Sequence, residues 1–140
     1  MYGKILIVED DRSFGTMLLK WFERNGITAT LCNGMLSAQE KLSESETFDI
    51  VLSDLRLPDG DGIMLLSWLK KEKISIPVII MTGYGEIQTA VSAIKLGAFD
   101  FLEKPINPSL LTQKIKSAFE SVRDSKNTAT KNTTETVCQL

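Results

Sequence analysis

The sequence predicts an α/β protein: a doubly wound, five-stranded parallel sheet with helices on both faces. Three observations lead there. Short β-branched runs alternate with helical patterns from Lys4 to about Val122, the signature of a parallel sheet covered by helices. The first, third and fourth of these runs are almost wholly apolar, as strands buried on both faces must be. Each of four runs is also followed at once by polar, chemically useful residues. Glu9, Asp10 and Asp11 follow Ile5-Leu6-Ile7-Val8, and Asp54 follows Ile50-Val51-Leu52-Ser53. Thr82 follows Val78-Ile79-Ile80-Met81, and Lys104-Pro105 follows Phe101-Leu102-Glu103. In parallel strands those side chains meet at one edge, where open α/β sheets bind their ligands.

In chain order, the first strand spans Lys4 to Val8. Phe14, Met17, Leu18, Trp21 and Phe22 then keep the i, i+3, i+4, i+7, i+8 spacing of one buried helix face, ending at the Asn25-Gly26 stop. Strands follow at Thr28 to Cys32 and Ile50 to Ser53. Asp59-Gly60-Asp61-Gly62 holds a fragment of a calcium loop without the remaining ligands or the closing Glu, so it predicts a turn that caps the next helix. After a strand at Val78 to Met81, Ile87, Ala90, Val91 and Ile94 form a second helical stripe that ends at Gly97. A strand at Asp100 to Glu103 leads to Asn107-Pro108, a capping residue and a first-turn proline, and then to the stripe Leu111, Ile115, Ala118, Phe119 and Val122. Past Arg123 the Asn/Thr-rich chain has almost nothing to bury, which predicts a folded domain over 1–123 and a flexible tail or the start of an interdomain linker over 124–140.

With 140 residues the chain fits one domain with a real core. A net charge of −2 and a pI near 5.2 give no global attraction to nucleic acid or to an anionic membrane. No apolar stretch nears the ~20 residues needed to cross a bilayer, and Met1-Tyr2-Gly3-Lys4 runs straight into a strand, so a soluble, cytosolic protein is expected. Cys32 in a strand and Cys138 in the tail predict no disulfide and no zinc site. Histidine is absent, which excludes His-based catalysis and His metal sites.

Carboxylates gathered at a strand edge repel one another, a cost tolerated mainly where a cation binds. Oxygen donors without His or Cys favour a hard ion, above all Mg²⁺, which keeps positions for water and phosphate oxygens. Such a site suits phosphoryl chemistry. Asp54, alone after a buried central strand, is the best-placed nucleophile for an acyl phosphate. Lys104 and Thr82 offer a cation and a hydroxyl donor to the phosphate oxygens.

Taken together, Val8-Glu9-Asp10-Asp11, Ser53-Asp54-Leu55-Arg56-Leu57-Pro58, Met81-Thr82-Gly83 and Lys104-Pro105 make the chain from Lys4 to about Val122 resemble the receiver domains of two-component response regulators. The resemblance implies the CheY-like, flavodoxin-like strand order 2-1-3-4-5. It also implies that Asp54 accepts a phosphoryl group from a sensor histidine kinase, with Mg²⁺ held by Asp10, Asp54, the backbone carbonyl of Arg56 and, through water, Glu9. Asp11 falls one place beyond the acidic pair, with a shifted register left open. Thr82 matches the switch hydroxyl, Lys104 the phosphate-binding lysine, Phe101 the aromatic switch residue and Pro105 a proline usually preceded by a cis bond. Arg56 and Tyr84, two residues after the acceptor and after the switch Thr, are expected to flank the phosphate and to influence its lifetime. Phe101 lacks a tyrosine hydroxyl, so its switching would rest on burial and packing alone.

The segment Met81-Thr82-Gly83-Tyr84-Gly85-Glu86, with Ala90-Val91 and Leu96 to Leu102, looks like receivers of the NtrC-like subgroup. Those precede a transcription-activating AAA+ ATPase module and a DNA-binding domain, neither of which lies in these residues. The implied partners are therefore a histidine kinase, a downstream output domain and a second copy docked through the fourth helix, fifth strand and fifth helix. Direct nucleic-acid or membrane contact is not implied. The only catalysis expected is self-phosphorylation from a phosphodonor and self-dephosphorylation.

Plainer roles exist for the same residues. Asp10 or Asp11 alone would serve as a helix N-cap, Lys104 as a solvated loop lysine and Phe101 as core. Met35, Met64 and Met81 need no role beyond packing, and Trp21 and Trp68 suit the core or its rim. A stand-alone receiver acting by protein contacts is one alternative. A haloacid-dehalogenase-type phosphatase is another, although its nucleophile belongs to an Asp-x-Asp after the first strand, where this chain has Glu9-Asp10-Asp11. A phosphorylation-independent module would have lost the acceptor, acids or lysine, and an acidic first loop repels a flavin phosphate.

Overall fold

A computed structural model describes residues 3–44 and 47–138, with 124–138 described by backbone alone. Strands β1 (Lys4–Val8), β2 (Thr28–Cys32), β3 (Ile50–Asp54), β4 (Val78–Thr82) and β5 (Asp100–Glu103) form one parallel sheet in the order β2-β1-β3-β4-β5. Helices α1 (Arg12–Arg24), α2 (Met35–Ser43), α3 (Gly62–Lys71), α4 (Ile87–Lys95) and α5 (Pro108–Cys138) cover it.

Alternation of side chains along each strand divides the interior into two layers. Leu6, Val8, Val51, Val78 and Ile80 face residues such as Leu42 of α2, Leu65 of α3 and Ala93 of α4. Ile5, Ile7, Ile50, Leu52, Ile79 and Met81 face Leu18 and Phe22 of α1 and Leu111, Ile115 and Phe119 of α5. The register sets Val8 beside Ser53, Asp54 beside Met81 and Thr82 beside Glu103. The polar residues that follow these strands are thereby delivered to one edge.

Polar side chains cap the starts of α1, α2, α3 and α5. Asp11 caps α1, its carboxylate accepting from the Phe14 amide at 3.1 Å, and the helix stops at Asn25 before Gly26, whose φ of 75° favours glycine. Of the face predicted for α1, Leu18 and Phe22 are buried, Phe14 and Trp21 are half-buried, and Met17 turns outward. The calcium-loop fragment is a pair of caps. Asp61 accepts from the Met64 amide of α3 at 2.7 Å, next to a short antiparallel pairing of Arg56–Leu57 with Gly60–Asp61. Asp59 reaches across to α2 and accepts from the amides of Met35 at 2.7 Å and Leu36 at 2.9 Å.

That remote cap serves a helix whose own N-cap, Gly34, has no side chain to offer. A Cβ on Gly34 would lie 2.7 Å from Asp59 Oδ1, so glycine there lets the carboxylate in. The two amide bonds hold the Asp59 carboxyl below its usual range. A depressed folded pKa means the cap stabilises above the unfolded pKa and is lost as pH falls through the folded one. Asp59→Ala is therefore expected to lower the melting temperature at neutral pH and to speed amide exchange at Met35 and Leu36. The difference from wild type should close on acidification, as thermal scans in a pH series would show.

Helix α4 corrects the predicted stripe. Its inward residues are Ala90 and Ala93, both fully buried, while Ile87, Val91 and Ile94 are 39%, 42% and 37% exposed. Two adjacent apolar faces share this helix, and hydrophobic spacing alone does not say which one turns inward. Helix α5 begins where Asn107 accepts from the amides of Ser109 and Leu110 and runs to Cys138, through the segment expected as a tail. No glycine or proline follows Pro108 to stop it. The Cys138 side chain lies outside the described residues. Cys32 is a buried free thiol that burial pushes up to about 11, which leaves it unreactive.

Candidate functional site

At the carboxyl edge of the sheet, Lys104 draws two acids together. Its Nζ lies 2.8 Å from Glu9 Oε1, just past β1, and 3.1 Å from Asp54 Oδ2, the last residue of β3. The same ammonium stands 4.6 Å from the centre of the Phe14 ring. The preceding backbone is fixed by the Lys104 amide bond to the Thr82 carbonyl, and the Lys104–Pro105 peptide is cis. Glu9 is only 2% exposed, and its second oxygen accepts from the Asp11 amide at 3.0 Å. Asp11 is taken up by its α1 cap and Asp10 is exposed, so the three neighbouring acids have three different environments.

Each of these charges acts on the others. Burial raises the Asp54 pKa, the Glu9 charge raises it further, and Lys104 only partly offsets them. Burial alone would lower Lys104, but its bond to Glu9 and the Asp54 charge outweigh that and raise it, keeping it cationic. Repulsion between Glu9 and Asp54 is what an added cation relieves, and the oxygen-only donors Asp10, Asp54 and Glu9 fit a hard ion that keeps much of its water. Among the described residues, no three acids close into a cage.

The other predicted site residues have partners of their own or face outward. Thr82 is fully buried, and its hydroxyl donates over 3.4 Å to the Leu102 carbonyl. Phe101 is half-buried against the α3 side of the core. Lys114 of α5 clamps it, donating to the Phe101 carbonyl at 2.6 Å and to Asp100 at 2.9 Å with its ammonium 5.0 Å from the ring centre. Tyr84 is 97% exposed.

Arg56 is also exposed, and its guanidinium pairs with Glu86. Glu86 was not singled out from the sequence. Its other oxygen accepts from the Gly83 amide at 2.8 Å, and that bond, then Arg56 and more weakly Lys104, holds its carboxyl below the usual range.

The sequence model described as "Response regulator receiver domain" matches residues 5–116. Over 126 residues the chain is 40% identical to the transcriptional regulatory protein ZraR of Klebsiella oxytoca, covering 90% of this chain and 28% of that protein. It is 36% identical to the DNA-binding transcriptional regulator NtrC of Proteus hauseri, covering 89% of this chain and 26% of that one. The chain thus spans about a quarter of the length of these relatives. Among solved structures, NtrX from Brucella abortus superposes with a TM-score of 0.86 at 29% identity over 92% of this chain and 30% of that one. The receiver domain of the Francisella response regulator 1452 gives 0.79 at 28% identity, over 85% and 98%. With the family matched over most of its length and the doubly wound sheet in place, this chain belongs to the receiver domains of two-component response regulators.

Proposed function

We propose that Asp54 is the phosphoacceptor of this receiver and that its phosphorylation by a sensor histidine kinase controls an output module of a longer regulator. The observation that supports this best is Lys104 bridging Glu9 and Asp54 at the strand edge. An Asp54 carboxylate oxygen attacks the phosphorus of the donor. The bond from phosphorus to the donor nitrogen or oxygen breaks, and an acyl phosphate results. Asp10, Asp54, the Arg56 carbonyl and, through water, Glu9 would hold Mg²⁺, which when bound offsets charge on the transferring oxygens.

Lys104 is already hydrogen-bonded to Asp54, so it needs only a short movement to reach a non-bridging phosphoryl oxygen. Thr82 gives up a long bond to the Leu102 carbonyl for a stronger charge-assisted one. The space it leaves admits Phe101, once Lys114 yields. Water attack on phosphorus later restores the carboxylate, with Arg56 and Tyr84 modulating the rate from the rim. These contacts exist only in the phosphorylated state, so phosphorylation shifts the population toward it.

The outward apolar residues of α4 support the α4-β5-α5 face as the surface that meets an output domain or a second copy. The length of the relatives supports an ATPase module and a DNA-binding domain further along the chain, with the receiver ending near Arg123 and the rest of α5 leading into the linker. No helix among the described residues is long and apolar enough to cross a membrane. As a test, incubation with acetyl phosphate and Mg²⁺ should add the mass of one phosphoryl group to the wild type. Chelation with EDTA should prevent the gain, and an unchanged mass at saturating donor would sink the assignment.

A further inference from the structure

Asp54 ends β3 and Thr82 ends β4, the neighbouring strand. The loops that leave those two strands are tied together by one carboxylate. Glu86 accepts from the Gly83 amide, the first backbone donor past Thr82, and from the guanidinium of Arg56, two residues past Asp54. A Cβ on Gly83 would lie only 3.2 Å from Glu86 Oε1, so the carboxylate rests directly on that glycine. Lys104, the cation bound to Asp54, also helps hold the Glu86 carboxyl below its usual range, after the Gly83 amide and Arg56.

We propose that Glu86 is a resident anion of this receiver, occupying in the unphosphorylated chain the donors that a phosphoryl group on Asp54 must recruit, so that Glu86 has to be displaced before the switch can close. This rests on Asp54 as the acceptor. A backbone N–H serves one strong acceptor at a time, and a phosphoryl group brings three oxygens and more charge to the same donors. Whatever Glu86 gains from them in the resting state is subtracted from the affinity of the site for phosphate, by linkage. Arg56 is 76% exposed, so the ion pair alone is worth little; the amide bond beneath it makes the hold a two-point one. The same bond also closes the turn before α4, where the Glu86 amide donates back to the Gly83 carbonyl at 3.3 Å. A turn contact alone, however, would change stability without changing anion affinity.

The two roles separate in a titration with beryllofluoride, a phosphoryl mimic, in the presence of Mg²⁺, followed by amide resonances. Glu86→Gln removes the charge and keeps the length. It should melt at a lower temperature yet bind beryllofluoride roughly three- to tenfold more tightly than the wild type. In an Arg56→Gln background that gain should shrink, because one of the two donors is already gone. In the wild type, the carbon resonance of the Glu86 carboxyl should shift as beryllofluoride binds. Equal or weaker binding by Glu86→Gln would overturn the proposal, as would a Glu86 resonance that stays put while the Asp54 region responds; Asp54 would remain the acceptor in either case. Failure of the wild type to respond at all would overturn both.

Discussion

Asp54→Asn is expected to abolish phosphorylation and, in the same protein, to raise stability. The amide cannot form an acyl phosphate, so acetyl phosphate with Mg²⁺ should add no mass. The gain in stability has a separate cause. Burial and the Glu9 charge both disfavour an ionised Asp54, and Lys104 only partly compensates. In Mg²⁺-free buffer the change should raise the urea midpoint at neutral pH, because the amide carries no charge for burial and Glu9 to oppose. The sign follows from linkage. A carboxyl with a raised folded pKa binds more protons folded than unfolded, so its cost appears as pH rises from the unfolded pKa and is complete above the folded one. The advantage of Asn should vanish in acid, where both side chains are neutral, and urea titrations at several pH values would show it. A variant that loses phosphorylation and is also less stable would mean that Asp54 serves the fold.

Lys104→Met should fail in the opposite direction. Met fills similar space but leaves Glu9, almost wholly buried, with the Asp11 amide as its remaining partner and Asp54 with an uncompensated neighbour. Breaking a buried pair costs ~3–5 kcal/mol; because Lys104 is 27% exposed, a loss of about 2 kcal/mol is the better expectation. Part of that loss belongs to the contact with Phe14. Phosphorylation from acetyl phosphate should fall sharply, since the cation that meets the transferring oxygens is gone. Adding Glu9→Gln should recover some stability but none of the phosphorylation. If the double variant is as unstable as the single one, the stabilising contact lies elsewhere.

The five strands and the polar edge were legible because parallel strands buried on both faces permit few sequences. Ile5 to Val8, Ile50 to Leu52 and Val78 to Met81 read almost without interruption, and a residue just past such a run has one place to go. Asp11 was ambiguous beside Glu9 and Asp10, because three adjacent acids look alike until the chain turns into α1. Contacts between loops were harder to foresee. Asp59 caps a helix that starts 24 residues before it, and Arg56 meets Glu86 30 residues on. No local pattern encodes either. Over 124–138 polar composition points to a tail or linker, while the lack of any glycine or proline permits the helix that runs to Cys138.

The buried face of α4 also bears on how the molecule moves. Side chains that end at Cβ set no knobs into the sheet below, and a helix seated on Ala90 and Ala93 rests on a smooth bearing. Rolling it about its axis or sliding it along the strands lifts no large group out of a socket and opens no void, whereas moving α1 would have to unseat Phe22. Isoleucine and valine, the bulk of the helix, ride on the outside, where a small roll carries them across whatever surface they touch.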